Sequence, residues 1–179
     1  RRVSVPGQCP ARLIDRDREL GAPAHREHRD DAVTVATALV VAARRGLWIY
    51  SRELDPGLFD APEMLDALRH FGTAGRGNEV RILLQDAEAP QRAHAPLLPL
   101  AQRLPSVFQF REVLDPVDRA YPSAFIANEA GGFYFRGLGH RFDGEADLHA
   151  PGRARQLRGE FDRIWERSRP VTEYRSLGI

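Results

Sequence analysis

Lysine is absent from this chain: all 26 of its Lys-or-Arg positions are arginine. That removes Schiff-base lysine, P-loop lysine and any lysine of a phosphoryl-transfer site before chemistry is considered. Arginine is no substitute as a base, because its guanidinium stays protonated and spreads its charge over a rigid fork. Codon bias in a GC-rich genome accounts for such a composition, and the exclusion holds whatever its cause. Cysteine is nearly absent too. Cys9 stands alone, so no internal disulfide and no cysteine metal cluster can form, which fits a reducing, cytoplasmic setting. Long hydrophobic runs are lacking: Ala32–Ala43, interrupted by Thr34 and Thr37, falls short of the ~20 residues that span a bilayer. No membrane span and no signal peptide are expected. Net charge is small as well, at +1. Nucleic-acid binding is therefore not indicated, since it calls for a sustained basic excess, although a local arginine patch stays open.

What is there suits one globular domain. Apolar residues make up 42% and charged residues 28% of 179, and a chain of this length buries roughly 70% of its unfolded surface. Residues 1–30 read as an N-terminal arm or linker, partly disordered. They carry Pro6, Pro10, Pro23, Gly7 and Gly21 among mixed charges and few large apolar groups. The domain proper is expected over 31–179.

Within it, Ala32–Ala43 predicts a helix buried on most sides, stopped by Arg44, Arg45 and Gly46. Leu47–Ser51 predicts a short apolar strand. Asp60 before Pro62 and Glu63 reads as an acidic N-cap, followed by the stripe Met64, Leu65, Leu68 and Phe71 and a stop at Gly72. Val80–Leu84 predicts a central strand, Pro96–Leu104 a short helix, and Ser106–Val113 a strand alternating around Phe108 and Phe110. Ser123–Ala127 and Phe133–Arg136 predict two strands joined by a Glu129–Gly132 turn. The last helix starts near Arg153 and aligns Leu157, Phe161, Ile164 and Trp165. The alternation of elements predicts an α/β fold, a mixed sheet with helices on both faces. In such sheets ligands sit outside the carboxyl ends of the strands, here near Ser51–Arg52 and Gln85–Asp86.

The segment Tyr121-Pro-Ser123-Ala-Phe-Ile-Ala-Asn128 carries the main functional signal. Positions 121, 123 and 128 have the spacing of His-x-Lys-x4-Asp, and the chain resembles the phospholipase D superfamily that owns this signature. LWIYSREL (Leu47–Leu54) looks like that family's first strand, EVRILLQD (Glu79–Asp86) like its second, and FDRIWERS (Phe161–Ser168) like its closing helix. The resemblance implies a single phospholipase D-like domain over roughly residues 31–170. It also implies loss of catalysis. Tyr121 replaces the nucleophilic histidine, Ser123 the lysine and Asn128 the aspartate, and the downstream Gly-Ser/Thr-x-Asn pattern is missing. Without the nucleophile the covalent route is closed. More closely, the chain resembles a bacterial domain of unknown function often found behind a GNAT-type acetyltransferase domain. The partners so implied are a second copy of the chain, as a homodimer, or an acetyltransferase domain in cis or in trans.

Tyr121, Ser123 and Asn128 are neutral donors and acceptors. Either they satisfy the ends of a strand, or, with Arg52, Arg111, Arg136 or His94 nearby, they hold a phosphate-bearing ligand or carboxylate without cleaving it. A second reading is a weak phosphodiesterase or lipid hydrolase using His94 or His140 as base. No cofactor is expected. Arg69–Ala74 matches an acetyl-CoA pattern but closes a helix instead of opening one. His25 and His28 lack a third metal ligand at recognisable spacing. The arginines of the last helix, Arg153 to Arg169, interleave with Glu160, Asp162 and Glu166 as on a salt-bridged solvent face.

Overall fold

The computed structural model describes residues 22–175, with side chains from His28 onward. Its elements are α1 (Ala22–Ala42), β1 (Gly46–Ser51), α2 (Pro62–Thr73), β2 (Glu79–Leu84), α3 (Ala89–Arg92), α4 (Leu97–Arg103), β3 (Phe108–Glu112), α5 (Pro116–Arg119), β4 (Ala124–Asn128), β5 (Phe133–Arg136), β6 (Glu145–Asp147), α6 (Pro151–Glu166) and β7 (Arg169–Pro170). One seven-stranded sheet runs in the order β6-β5-β4-β1-β2-β3-β7. Strands β1, β2 and β3 are parallel, while β4 pairs antiparallel with β1, β5 with β4, β6 with β5 and β7 with β3. The fold is a mixed α/β sheet with helices on both faces.

Central position explains the composition of β1. All six of its residues are buried, because both faces of a central strand are covered. Leu47 and Ile49 enter a large core with Leu39 of α1, Leu68 of α2, Leu97 of α4 and Ile82 of β2. Trp48 and Tyr50 point the other way, into a smaller core closed by Leu157, Phe161, Ile164 and Trp165 of α6. The predicted α6 stripe is therefore the face that packs. Phe161 stacks on Trp165 at 5.5 Å, and the Arg111 guanidinium covers that indole at 4.6 Å.

Several details differ from the sequence expectations. Helix α1 reaches back to Ala22, so residues 22–30 of the expected arm are helical, while 1–21 lie outside the described residues. Pro23 sits in the first turn, where its missing N–H costs nothing. Over Ala32–Ala42 the helix is covered on most sides, with Val33, Thr37, Ala38 and Ala42 half-buried. Ala32, Val35, Ala36, Leu39 and Val40 form its inner face, but Thr34 and Val41 are exposed. It ends at Ala42, before the arginines expected in its last turn. The Glu129 carboxylate accepts the backbone N–H groups of Arg44, Arg45 and Gly46, tying this turn to the end of β4. Asp60 is not the cap of α2. Ala61 holds that position, and Asp60 accepts the Gly57 N–H instead. Strands β6 and β7 and the single-turn helices α3 and α5 were not anticipated, since two to four residues, rich in proline or charge, show no period.

Candidate functional site

Because β1, β2 and β3 are parallel, their carboxyl ends share one rim of the sheet, and antiparallel β4 begins there. Tyr121 to Ser123 lead into β4 at that rim. The Tyr121 ring meets Tyr50 edge-on, with centroids 5.2 Å apart, and Tyr50 in turn lies over Phe125 at 5.8 Å. The Gln85 amide donates to the Tyr50 hydroxyl at 3.0 Å and to the Tyr121 carbonyl at 2.8 Å. The Tyr50 hydroxyl donates to the Asp118 carbonyl at 2.9 Å, and the Tyr121 N–H donates there too, at 3.1 Å. Ser123 donates to the Gly137 carbonyl at 3.0 Å.

Helix α6 borders this corner with charge. The Asp118 carboxylate is 1% exposed and meets Arg167 at 2.8 Å and Arg163 at 3.2 Å, while Arg163 also holds Glu160 at 2.6 Å. Burial pushes the Tyr121 phenol above its usual pKa. The Glu160 carboxylate adds to the rise, and a hydrogen bond with Ser123 and the nearby Arg153 and Arg163 reduce it. Burial also raises Tyr50, to about 12, against the lowering effect of the Gln85 hydrogen bond. Both phenols are protonated at neutral pH, so each presents a hydrogen-bond donor.

The structure does not bring the three motif positions together. Tyr121 and Ser123 share the rim, but Asn128 lies at the far end of β4. Its amide donates to the Leu39 carbonyl at 2.9 Å and its oxygen accepts the Gly132 N–H at 2.8 Å. Arg52 follows β1 on the rim, exposed, and its backbone carbonyl accepts the Gln85 and Asp86 N–H groups. Arg136 lies beneath the rim, 2% exposed, and its ligands are internal: the Asp55 carboxylate at 2.6 Å and the carbonyls of Gly139 and Arg141. Arg111 turns to the end of α6 and donates to the Trp165 carbonyl at 2.7 Å. His94 is exposed between α3 and α4, on a cleft shared with Gln91, Leu98 and Tyr174. His140 is exposed in the loop after β5. Arg69–Ala74 does close α2. Sequence reasoning missed Gln85, Asp118 and Glu160 as neighbours of Tyr121. The i, i+4 pair Arg163 and Arg167 was a usable signal, since two cations on one helix face need a carboxylate when that face is covered.

Similarity to known structures agrees with this topology. NucT from Helicobacter pylori superposes with a TM-score of 0.55 at 12% identity, over 81% of this chain and 94% of that one. TrmBL2, an archaeal chromatin protein described with a novel mode of DNA binding, superposes with a TM-score of 0.55 at 13% identity, over 80% of this chain. This chain spans about half, 51%, of the TrmBL2 chain. No curated protein sequence matches. NucT has the phospholipase D-like fold, and that is the class to which the mixed sheet belongs. Residues 28–177 match a domain of unknown function, DUF7931, and the chain belongs to that family.

Proposed function

We propose that this chain is a non-catalytic phospholipase D-like association module. In this reading Tyr121 and Ser123 are the degenerate counterparts of the nucleophilic histidine and the lysine. A protonated phenol and a serine tied to a carbonyl supply neither group. One observation carries the associative part. Among the described residues four large apolar side chains are exposed, and three of them, Val117 (79%), Leu114 (49%) and Leu138 (46%), stand on the rim around Tyr121. Backbone bonds from Tyr121 to Asp118 and from Gly139 to Pro122 join the loops that bear them. Covering such side chains contributes up to about 1.5–3 kcal/mol each.

The partner in this reading is a second copy of the chain facing the same rim, or an acetyltransferase domain in cis or in trans, in the cytoplasm of a bacterium. Sedimentation velocity over a wide concentration range tests the first. A dimer that dissociates in Val117→Glu is expected, and a monomer at every concentration removes the homodimer. The coding sequence upstream of Arg1 tests the acetyltransferase in cis.

A retained phosphate-bearing ligand at Tyr121 and Ser123 draws support from Arg153 and Arg163, which lower the Tyr121 pKa, and is opposed by Glu160. Titration with inorganic phosphate tests it. Because TrmBL2 is described with DNA binding, a duplex DNA titration belongs beside it. The hydrolytic alternative gains nothing from the placement of His94 and His140 on separate loops. Metal-independent diester hydrolysis lost in His94→Ala or His140→Ala would restore it.

A further inference from the structure

A cleft of about 180 Å³ opens between the loop after β1 and the α3–α4 connection, away from Tyr121. Its wall is mostly apolar, built from Leu54, Pro56, Phe59, Pro90, Ala93 and Leu97. Among the described residues the charged side chains lining it are Glu53 and Asp60, and no cation lines it. Asp60 accepts the Gly57 N–H at 2.7 Å, whereas Glu53 has no hydrogen-bond or ion-pair partner among the described residues.

The wall is preformed by a chain of buried contacts. Leu54 holds φ 60°, a left-handed conformation rare for a bulky side chain. Its N–H donates to the Ser51 hydroxyl at 3.1 Å, that hydroxyl donates to Asp55 at 2.8 Å, and Asp55 is fixed by Arg136 at 2.6 Å. On the opposite lip His94, at φ 51°, separates Ala93 from Ala95, which both face the cleft. These bonds tie Leu54 and Asp55 to the sheet, and a wall ordered before binding lowers the cost of binding.

Size and charge select the occupant. A cavity of about 150 Å³ lined by aliphatic and aromatic side chains accepts benzene, and this cleft is of that order. Two carboxylates without a lining cation disfavour an anion and favour a cation. We propose that the cleft binds a small organic ammonium ion bearing an apolar group of about benzyl size. The ring lies against Pro56, Ala93 and Pro96, the exposed apolar groups of the lining, with Leu54, Phe59 and Leu97 buried behind them, and the ammonium group faces Glu53 and Asp60. This is independent of the association reading, which concerns a different set of residues.

The test is an amide-resolved NMR titration of the whole chain with benzylammonium chloride and with benzyl alcohol as its neutral isostere. Shifts centred on Leu54 and Ala93 are expected, with a dissociation constant on the order of 1 mM for the ammonium. The alcohol should bind about threefold more weakly, as partly exposed ion pairs contribute modestly. Glu53→Gln should narrow that gap. Ala93→Leu, at a backbone position of φ −83° that any residue adopts, should abolish the shifts. Equal binding of amine and alcohol, binding unchanged by Glu53→Gln, or silence at Leu54 and Ala93 in the native chain would each overturn the proposal. Should Ala93→Leu fail to fold, the first two comparisons decide it.

Discussion

Arg136 of β5 and Asp55 of the loop after β1 form a buried ion pair, 2.6 Å apart and 2% and 11% exposed. The pair joins the carboxyl end of β1 to the end of β5 across β4, which lies between them in the sheet. Ser51 completes it by donating to the same Asp55 oxygen. Arg136 Nε is buried without a partner, so the guanidinium already carries one unmet donor.

Removing either charge alone should therefore be severe. Asp55→Ala leaves a buried guanidinium facing only two carbonyls, and a cost of about 3–5 kcal/mol is expected. In a domain of this size that is a fall of roughly 6–20 °C in Tm. Arg136→Met should cost a similar amount, because Asp55 is then the uncompensated charge. The double variant Asp55→Leu/Arg136→Met should recover much of the loss. Urea denaturation of the three variants checks the pattern, and additive losses would contradict it.

Asp118 plays a comparable part between α5 and α6, with a different balance. Its carboxylate is nearly sealed, but Arg163 and Arg167 are about half exposed. Asp118→Ala frees both arginines into water, so the loss is that of charge-assisted hydrogen bonds, about 1.5–3 kcal/mol. Arg163→Ala should cost under about 1 kcal/mol, since Arg167 still covers the carboxylate. Hydrogen exchange adds a local readout. In Asp118→Ala the amide of Tyr121, which donates to the Asp118 carbonyl, should exchange faster, with β2 and β3 unchanged.

Much of the sheet was legible because apolar runs bounded by turn residues mark strands. LWIYS, VRILL and FYFR all appear where their composition puts them. The stripe on α6 was legible for the same reason. The short elements were not, because β6 is Glu-Ala-Asp and β7 is Arg-Pro, and such pieces exist only through the strands they pair with. The site was half legible. Tyr121 and Ser123 could be placed at the entry of a strand. Asn128 could have been excluded from any shared site, since five residues of strand span about 16 Å. Arg136 could not have been read as buried, because its partner Asp55 is 81 positions away and nothing local announces the pair.

Alkaline pH should expose the tyrosine network. A tyrosine whose pKa is raised in the folded state stabilises fully below its unfolded value, near 10, and that contribution disappears as pH climbs through the folded value. Tyr50, raised to about 12 by burial, and Tyr121, raised in the same direction, place this loss in the window from pH 10 to 12. Phenolate absorbance should rise together with the loss of far-ultraviolet circular dichroism, not before it. In Tyr50→Phe the decline of stability over that window should be shallower. Ionisation well below the unfolding pH would show that these phenols are open to solvent.

An aspartate at position 128, as the His-x-Lys-x4-Asp spacing would have it, should harm the protein. At position 128 the side chain donates and accepts at once: the amide nitrogen faces the Leu39 carbonyl and the oxygen faces the Gly132 N–H. An ionised carboxylate can only accept, so Asn128→Asp sets a buried charge against the carbonyl oxygen at the end of α1. The expected cost is about 2–4 kcal/mol at pH 7, a lost hydrogen bond plus desolvation of the charge. A protonated aspartic acid regains a donor, so the penalty should shrink near pH 4. The sign follows from burial, which raises the folded-state pKa of the new carboxyl above its unfolded value and makes stability fall as pH rises. Urea denaturation of Asn128→Asp and the native chain at both pH values checks this. A variant as stable as the native chain at pH 7 would mean that the Leu39 carbonyl finds another donor, and that the asparagine is not the tie between α1 and the β4–β5 turn.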